Sequence, residues 1–196
     1  MMMSERSRRG SHHRARAARA TFGSNFHLLF LKEDGSVWGR GSNSSGQLGV
    51  EGSYTNPVQI VASGAVDISV GTDFSVITMA DGRIFNFGKN TFGQLGTGEP
   101  MFYSSPQKLE GIKVQDVATN TESSYFLDLT GALWSVGQDS SGDLGNGGDS
   151  HTSVLVKVVD GNVSAVKSRN QTVLYKDQNG SLHGFGFGAY GQLANN

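Results

Sequence analysis

Several groups of residues have types or spacings that could carry chemistry. Gly186-Phe187-Gly188-Ala189-Tyr190-Gly191 spells G-x-G-x-x-G, a string that lets a backbone approach a dinucleotide pyrophosphate. That use needs a helix directly behind it, with its N-terminus on the phosphates. Gln192-Leu193-Ala194-Asn195-Asn196 carries no helical pattern, so the glycines read as turn positions and no cofactor is expected. Asp139, Asp143, Asn146 and Asp149 form an oxygen-rich loop of the donor type that hard cations prefer. Their spacing is not that of an EF-hand loop, and the stretch reads as a solvated turn. His27, His151 and His183 are far apart, with no pair at metal-ligand spacing. With no cysteine, thiol catalysis, thiolate zinc sites and disulfides are excluded. No serine sits in a nucleophile elbow and no His–carboxylate pairing is visible. No catalytic, cofactor-binding or metal-ligating residue is therefore assigned, and the expectation is a protein that is not an enzyme.

The elements that position these groups come from a repeat. Trp38-Gly39-Arg40-Gly41-Ser42-Asn43-Ser44-Ser45-Gly46-Gln47-Leu48-Gly49 returns from Phe85 to Gly96 and from Trp134 to Gly145, and in a worn form from His183 to Ala194. The leading glycines, Gly41, Gly88, Gly137 and Gly186, are 47, 49 and 49 residues apart. A fixed period in this range marks a solenoid, a propeller or an array. Each copy follows a turn dipeptide, Asp34-Gly35, Asp81-Gly82, Thr130-Gly131 or Asn179-Gly180. Gly, Asn and Asp tolerate the positive φ of a tight hairpin turn. The motif thus becomes the second arm of a β-hairpin, and the repeats span 34–49, 81–96, 130–145 and 179–194.

The first arm of each hairpin carries two adjacent apolar columns. Leu29, Val76, Tyr125 and Leu174 form one; Phe30, Ile77, Phe126 and Tyr175 form the other. Neighbouring strand residues point to opposite faces, so both faces must be covered, as in sheets stacked around an axis. A further apolar run precedes each later hairpin: Ala65–Val70, Val114–Ala118 and Val163–Val166. A short fourth strand is expected near Pro57–Val61. The expected fold is all-β, with β-propeller blades of antiparallel strands. The first unit is expected to lack its leading strand.

The Asp-Gly-x-Val-Trp-x-x-Gly-x-Asn-x-x-Gly-Gln-Leu-Gly grammar resembles the regulator-of-chromosome-condensation repeat family, over roughly residues 21–194. His27 also falls where that family often carries a histidine. The resemblance implies a normally seven-bladed propeller, of which three and a half to four repeats are present. That implies a partial or half propeller: a fragment of a longer protein, or one half of a homodimer. It also implies function by protein binding, since the family includes exchange factors on chromatin, a β-lactamase inhibitor, ubiquitin-ligase domains and a plant photoreceptor. Two other readings stay open. One is guanine-nucleotide exchange on a small GTPase, with a basic arm on chromatin. The other is a repeat segment of a larger bacterial surface protein or enzyme.

Two features stand outside the repeat. Residues 1–20 hold Arg6, Arg8, Arg9, Arg14, Arg16 and Arg19 against Glu5, a net of +5, while residues 21–196 are net −6. The arm reads as a disordered basic extension through which nucleic acid could be held; the acidic body is not a nucleic-acid surface. No run approaches the length of a membrane span. The second feature is Glu99-Pro100-Met101-Phe102-Tyr103-Ser104-Ser105, read as the longest inter-strand loop, with adjacent large apolar side chains of the kind that anchor interfaces. Equivalent loops of a repeat protein project to one face. Tyr54, Met101, Phe102, Tyr103 and His151 are accordingly expected to line one partner-binding rim.

Overall fold

The structure, a computed structural model, describes residues 17–22 and 27–193. The turn dipeptides close hairpins where the motif requires them. Asp34 accepts hydrogen bonds from the Ser36 amide and hydroxyl, and Gly35 takes a φ of 76°, joining β2 (His27–Lys32) to β3 (Val37–Gly41). With β1 (Ala17–Phe22) and β4 (Tyr54–Val61) these make one antiparallel sheet in sequence order. The second sheet is β5 (Ala65–Val70), β6 (Phe74–Met79), β7 (Ile84–Gly88) and β8 (Tyr103–Leu109). The third is β9 (Val114–Thr119), β10 (Ser123–Asp128), β11 (Leu133–Gly137) and β12 (Thr152–Val159). The fourth holds β13 (Val163–Arg169), β14 (Thr172–Asp177) and β15 (Leu182–Gly186). The fold is a β-propeller, and each sheet is a blade.

Two expectations are corrected. The first blade does have a leading strand: β1 pairs with β2 from Ala17↔Lys32 to Phe22↔Leu28, and so begins inside the stretch read as a disordered extension. Its weak apolar pattern, Ala-Ala-Arg-Ala-Thr-Phe, hid it. The fourth strand is not short, since β4 and β12 run 8 residues each.

Packing explains the two apolar columns. Each core lies between successive blades. Leu29, Leu31, Val37 and Leu48 of the first blade meet Ala65, Ile68, Val70, Ile77 and Phe87 of the second. Phe74, Val76, Ile84, Leu95 and Leu109 meet Val114, Val117, Phe126 and Val136. Ala118, Tyr125, Leu127 and Leu133 meet Val163, Val166 and Val173. Val76 thus faces the following blade and its neighbour Ile77 the preceding one. β6 and β10 are buried along nearly their whole length, whereas β2 alternates buried and half-buried. A fully buried aliphatic or aromatic side chain stabilises by roughly 1.5–3 kcal/mol, so these cores dominate the fold.

Polar pins fix blade to blade. The Ser75 hydroxyl donates to Gln47 O at 2.8 Å, and Ser124 repeats the bond to Gln94 O at 2.7 Å. A motif glycine abuts the fourth strand of the next blade at each of these joints. A Cβ on Gly46 would lie 2.6 Å from Ser104 Cα, and one on Gly93 would lie 2.3 Å from Ser153 Cα. Gly142 has a similar φ of 71° but meets nothing within 4 Å among the described residues. Left-handed backbone strain of about 1–2 kcal/mol is common to both substitutions. Gly93→Ala should therefore lower the urea midpoint clearly more than Gly142→Ala, and equal losses would show that close approach is not what the glycine serves.

His27 is a buried pin at the first joint, with Nε2 3.1 Å from Ser75 Oγ. Burial pushes its imidazole down to about 4, and the Asp73 charge and a backbone hydrogen bond at Phe74 offset only part of this. The unfolded ring titrates near 6.5, so between these values the unfolded chain binds the extra proton. Stability is then lost as pH falls from 6.5 towards 4. His27→Gln should shrink the difference in unfolding free energy between pH 7 and pH 4.5 by about 2 kcal/mol, measured by denaturant titration at both values.

Candidate functional site

One face of the blades collects every motif loop. The turns between first and second strands lie at the same end, since the Lys89 amide donates to Asp73 O at 2.8 Å and the Gln138 amide to Glu122 O at 3.0 Å. Inside the first two loops a side-chain amide organises the backbone. Asn43 Oδ1 accepts from the Leu48 amide at 2.8 Å, while its Nδ2 donates to Val50 O and Gly52 O. Asn90 does the same for the second loop, accepting from Leu95 N at 2.8 Å and donating to Glu99 O at 2.6 Å. These bonds tie the side chain of each of the two residues to both ends of its loop.

The sequence-predicted rim residues separate into two groups. Met101 and Phe102 are exposed, at 56% and 58%, on the segment between Gly98 and β8. That segment is clasped to the third blade: the Gly98 amide donates to Ser153 O at 2.9 Å and the Ser153 hydroxyl to Gly98 O at 2.8 Å. His151 is exposed beside this clasp. Its Nδ1 accepts from the Asp139 amide at 2.9 Å, and its ring meets Phe92 edge-on at 4.9 Å. Tyr54 and Tyr103 are different. They are the first residues of β4 and β8, paired with Gly41 and Gly88, and they pack against the first and second inter-blade cores. Their rings close those cores, and reading them as loop residues is corrected. At Tyr103 the loop and the strand share one apolar run, Met101-Phe102-Tyr103, so the sequence pattern alone did not show where that loop ended.

Sequence reasoning missed a row beside His151. Lys89 pairs with Glu122 at 2.7 Å and sits over the Phe92 ring at 5.9 Å, and Gln94 donates to Glu122 at 2.8 Å. These bonds cross from the second blade to the third. The signal was faint, because Phe92 occupies a motif position held by Ser45 and Ser141 in other copies.

Other candidates resolve into packing. His183 takes the Trp134 position, stacks on Tyr175 at 4.9 Å and bonds Asp177 at 3.2 Å, just as Trp134 Nε1 donates to Asp128 at 2.8 Å. Arg19 lies in β1 and pairs with Asp67, so it is not part of a free basic arm. Arg6, Arg8, Arg9, Arg14 and Arg16 lie outside the described residues. Among the described residues no group of three or more His, Asp or Glu side chains is arranged to hold a metal ion.

Comparison with known proteins follows this geometry. The model of the regulator of chromosome condensation (RCC1) repeat matches residues 34–78 and 81–127. These two stretches are RCC1-type repeats. A stretch of 76 residues, 36% of this chain, is 40% identical to the RCC2 homolog of Xenopus laevis, of which it covers 15%. Human WBSCR16 superposes with a TM-score of 0.79 at 23% identity, covering 88% of this chain and 47% of that one. Prp20p of Saccharomyces cerevisiae gives 0.79 at 20% identity, covering 92% and 47%. The chain thus spans about half of these solved propellers, and its match a small part of the RCC2 homolog.

The third copy of the motif departs from the first two inside this face. Asp139 stands where they have Asn43 and Asn90. It still accepts from the Leu144 amide, at 3.4 Å, but Oδ2 is buried without a hydrogen-bond partner, because a carboxylate has no N–H to offer. A buried polar atom left unpaired costs about 1–3 kcal/mol. Asp139→Asn restores the donor and should raise stability by about 1 kcal/mol, read as a higher urea midpoint at pH 7. An unchanged or lower midpoint would mean that the carboxylate is satisfied in some other way.

Proposed function

We propose that this chain is a non-catalytic RCC1-type propeller module that binds another protein through the loops on its motif face. The observation that carries this reading is the exposed Met101–Phe102 pair on a segment clasped to the adjacent blade. Large apolar side chains held rigidly in water cost little ordering entropy when they are buried by a partner. His151 and Phe92 extend the same surface across the blade joint. The family context agrees: the Prp20p structure is described together with binding to Gsp1p and histones, and yeast RCC1 (Prp20) with bound Kap60.

A photo-crosslinking residue placed at Phe102, with Leu182 as a control position, identifies the partner in an extract of the source organism. The double change Met101→Ser and Phe102→Ser should then weaken capture of that partner about 10-fold or more and leave the melting curve unchanged. Undiminished capture by the folded double variant would end the reading. If the crosslinked partner is a small GTPase whose nucleotide release the chain accelerates, exchange replaces scaffolding as the function. That outcome has a specific motive, since a bovine secretion-regulating guanine nucleotide exchange factor is 33% identical over 75 residues, covering 36% of this chain and 16% of that protein.

A further inference from the structure

The innermost strands β1, β5, β9 and β13 enclose a cleft of about 450 Å³ along the axis of the blades. It opens at the end where the motif loops lie, because the turns after β5 and β9 line it. Among the described residues its charged lining is Arg19 on the first blade and Lys167 and Arg169 on the fourth, with no carboxylate. Asp67 and Asp116, outside that lining, pair with Arg19 and with Lys167, which fixes two of the cations in place. Arg169 has no ion pair among the described residues, and its side chain is exposed.

Between the two cationic flanks the lining includes the hydroxyls of Ser69 and Thr119. Ser69 and Thr119 hydrogen-bond to each other at 2.9 Å. One hydroxyl donates in that bond, so the other keeps its proton for an acceptor in the cleft. Cations on opposite sides and a hydroxyl donor between them are complementary to a ligand with several anionic oxygens. A monoanion could engage only one flank.

We propose that this axial cleft is a binding site for a small polyphosphorylated molecule, held by Arg19 and Arg169 from opposite flanks and by the Ser69–Thr119 hydroxyl pair between them. Inositol polyphosphates and the diphosphate of free nucleotides share this chemistry. The site is separate from the loop surface and stands or falls independently of it.

The test is isothermal titration of the full-length chain with pyrophosphate, inositol hexakisphosphate and metal-free ATP, with sulfate as control. Saturable binding to at least one polyphosphate and none to sulfate is expected. Binding to inositol hexakisphosphate without ATP assigns the site to inositol phosphates, and the converse assigns it to nucleotides. Arg169→Gln should weaken binding about 10-fold, the loss of one charge-assisted contact, with unchanged melting in the absence of ligand, and Ser69→Ala should weaken it by a few-fold. A variant with Arg6, Arg8, Arg9, Arg14 and Arg16 changed to Gln should bind as the parent does. No heat of binding at millimolar probe overturns the proposal. So does binding that Arg169→Gln leaves intact, or binding that disappears with the five N-terminal arginines.

Discussion

Sheet stacked face on face is the constraint from which the rest follows. A blade in this chain has no core of its own. Leu29, Val76 and Tyr125 find their apolar surroundings in the next blade, and Ile77 and Phe126 in the one before. A strand covered on both sides needs apolar residues in sequence, not in alternation, and β6 and β10 show that pattern. Stability is therefore approximately a sum over joints between neighbours, as in other repeat proteins. Phe30 and Leu174 occupy the column positions that no described blade faces, and they are half-buried and 42% exposed. Exposure there belongs to a propeller blade and is not by itself a mark of function.

The motif is the polar counterpart of that stacking. Its glycine permits close approach to the next blade, its leucine enters the core, and its glutamine bonds outward. Gln47 reaches Asp73 at 3.4 Å and Gln94 reaches Glu122 at 2.8 Å, each on the following blade. The same residues are bound inward: Gln47 accepts from Ser45 N and Gln94 from Phe92 N. One short stretch thus closes its own loop and locks the neighbour. This is why it persists across copies while the loops after it vary.

Much of this was legible from the residues. Turn dipeptides, two apolar columns and a fixed period were enough for hairpins, double-sided burial and blades around an axis. What escaped was physical in each case. β1 was hidden because Ala17, Ala18 and Ala20 give little apolar signal, yet β1 pairs with β2 through backbone hydrogen bonds that no side chain announces. Tyr54 and Tyr103 were placed in loops because an aromatic residue at a strand start looks the same in sequence as one at a loop tip. Only pairing with Gly41 and Gly88 tells them apart. The Lys89–Glu122 and Arg19–Asp67 pairs join residues 33 and 48 positions apart, and no local pattern encodes such pairs.

The third joint shows how a repeat can keep its shape while its chemistry is inverted. At the first two joints a motif amide, Gln47 or Gln94, meets a carboxylate, Asp73 or Glu122, on the next blade. At the third the carboxylate is on the motif, as Asp143, and the register places Gln171 at the position of Asp73 and Glu122. Burial pushes Asp143 upward, and the nearby Asp139 charge adds to the effect. The hydroxyl pin has moved too. Val173 replaces the serine of Ser75 and Ser124, and the motif carbonyl, Asp143 O, is bonded within its own blade by Tyr125 OH at 2.7 Å. Asp143 Oδ1 is buried without a hydrogen-bond partner among the described residues, so the third joint keeps its apolar core without the amide–carboxylate pair of the first two. Two carboxylates, Asp139 and Asp143, come to lie side by side under His151 only at this joint. The loop face is thus chemically uneven, with a neutral amide network under the first two loops and buried acid under the third. A partner laid across Phe102 and His151 would meet that change of polarity along its length, which gives a repetitive scaffold a direction.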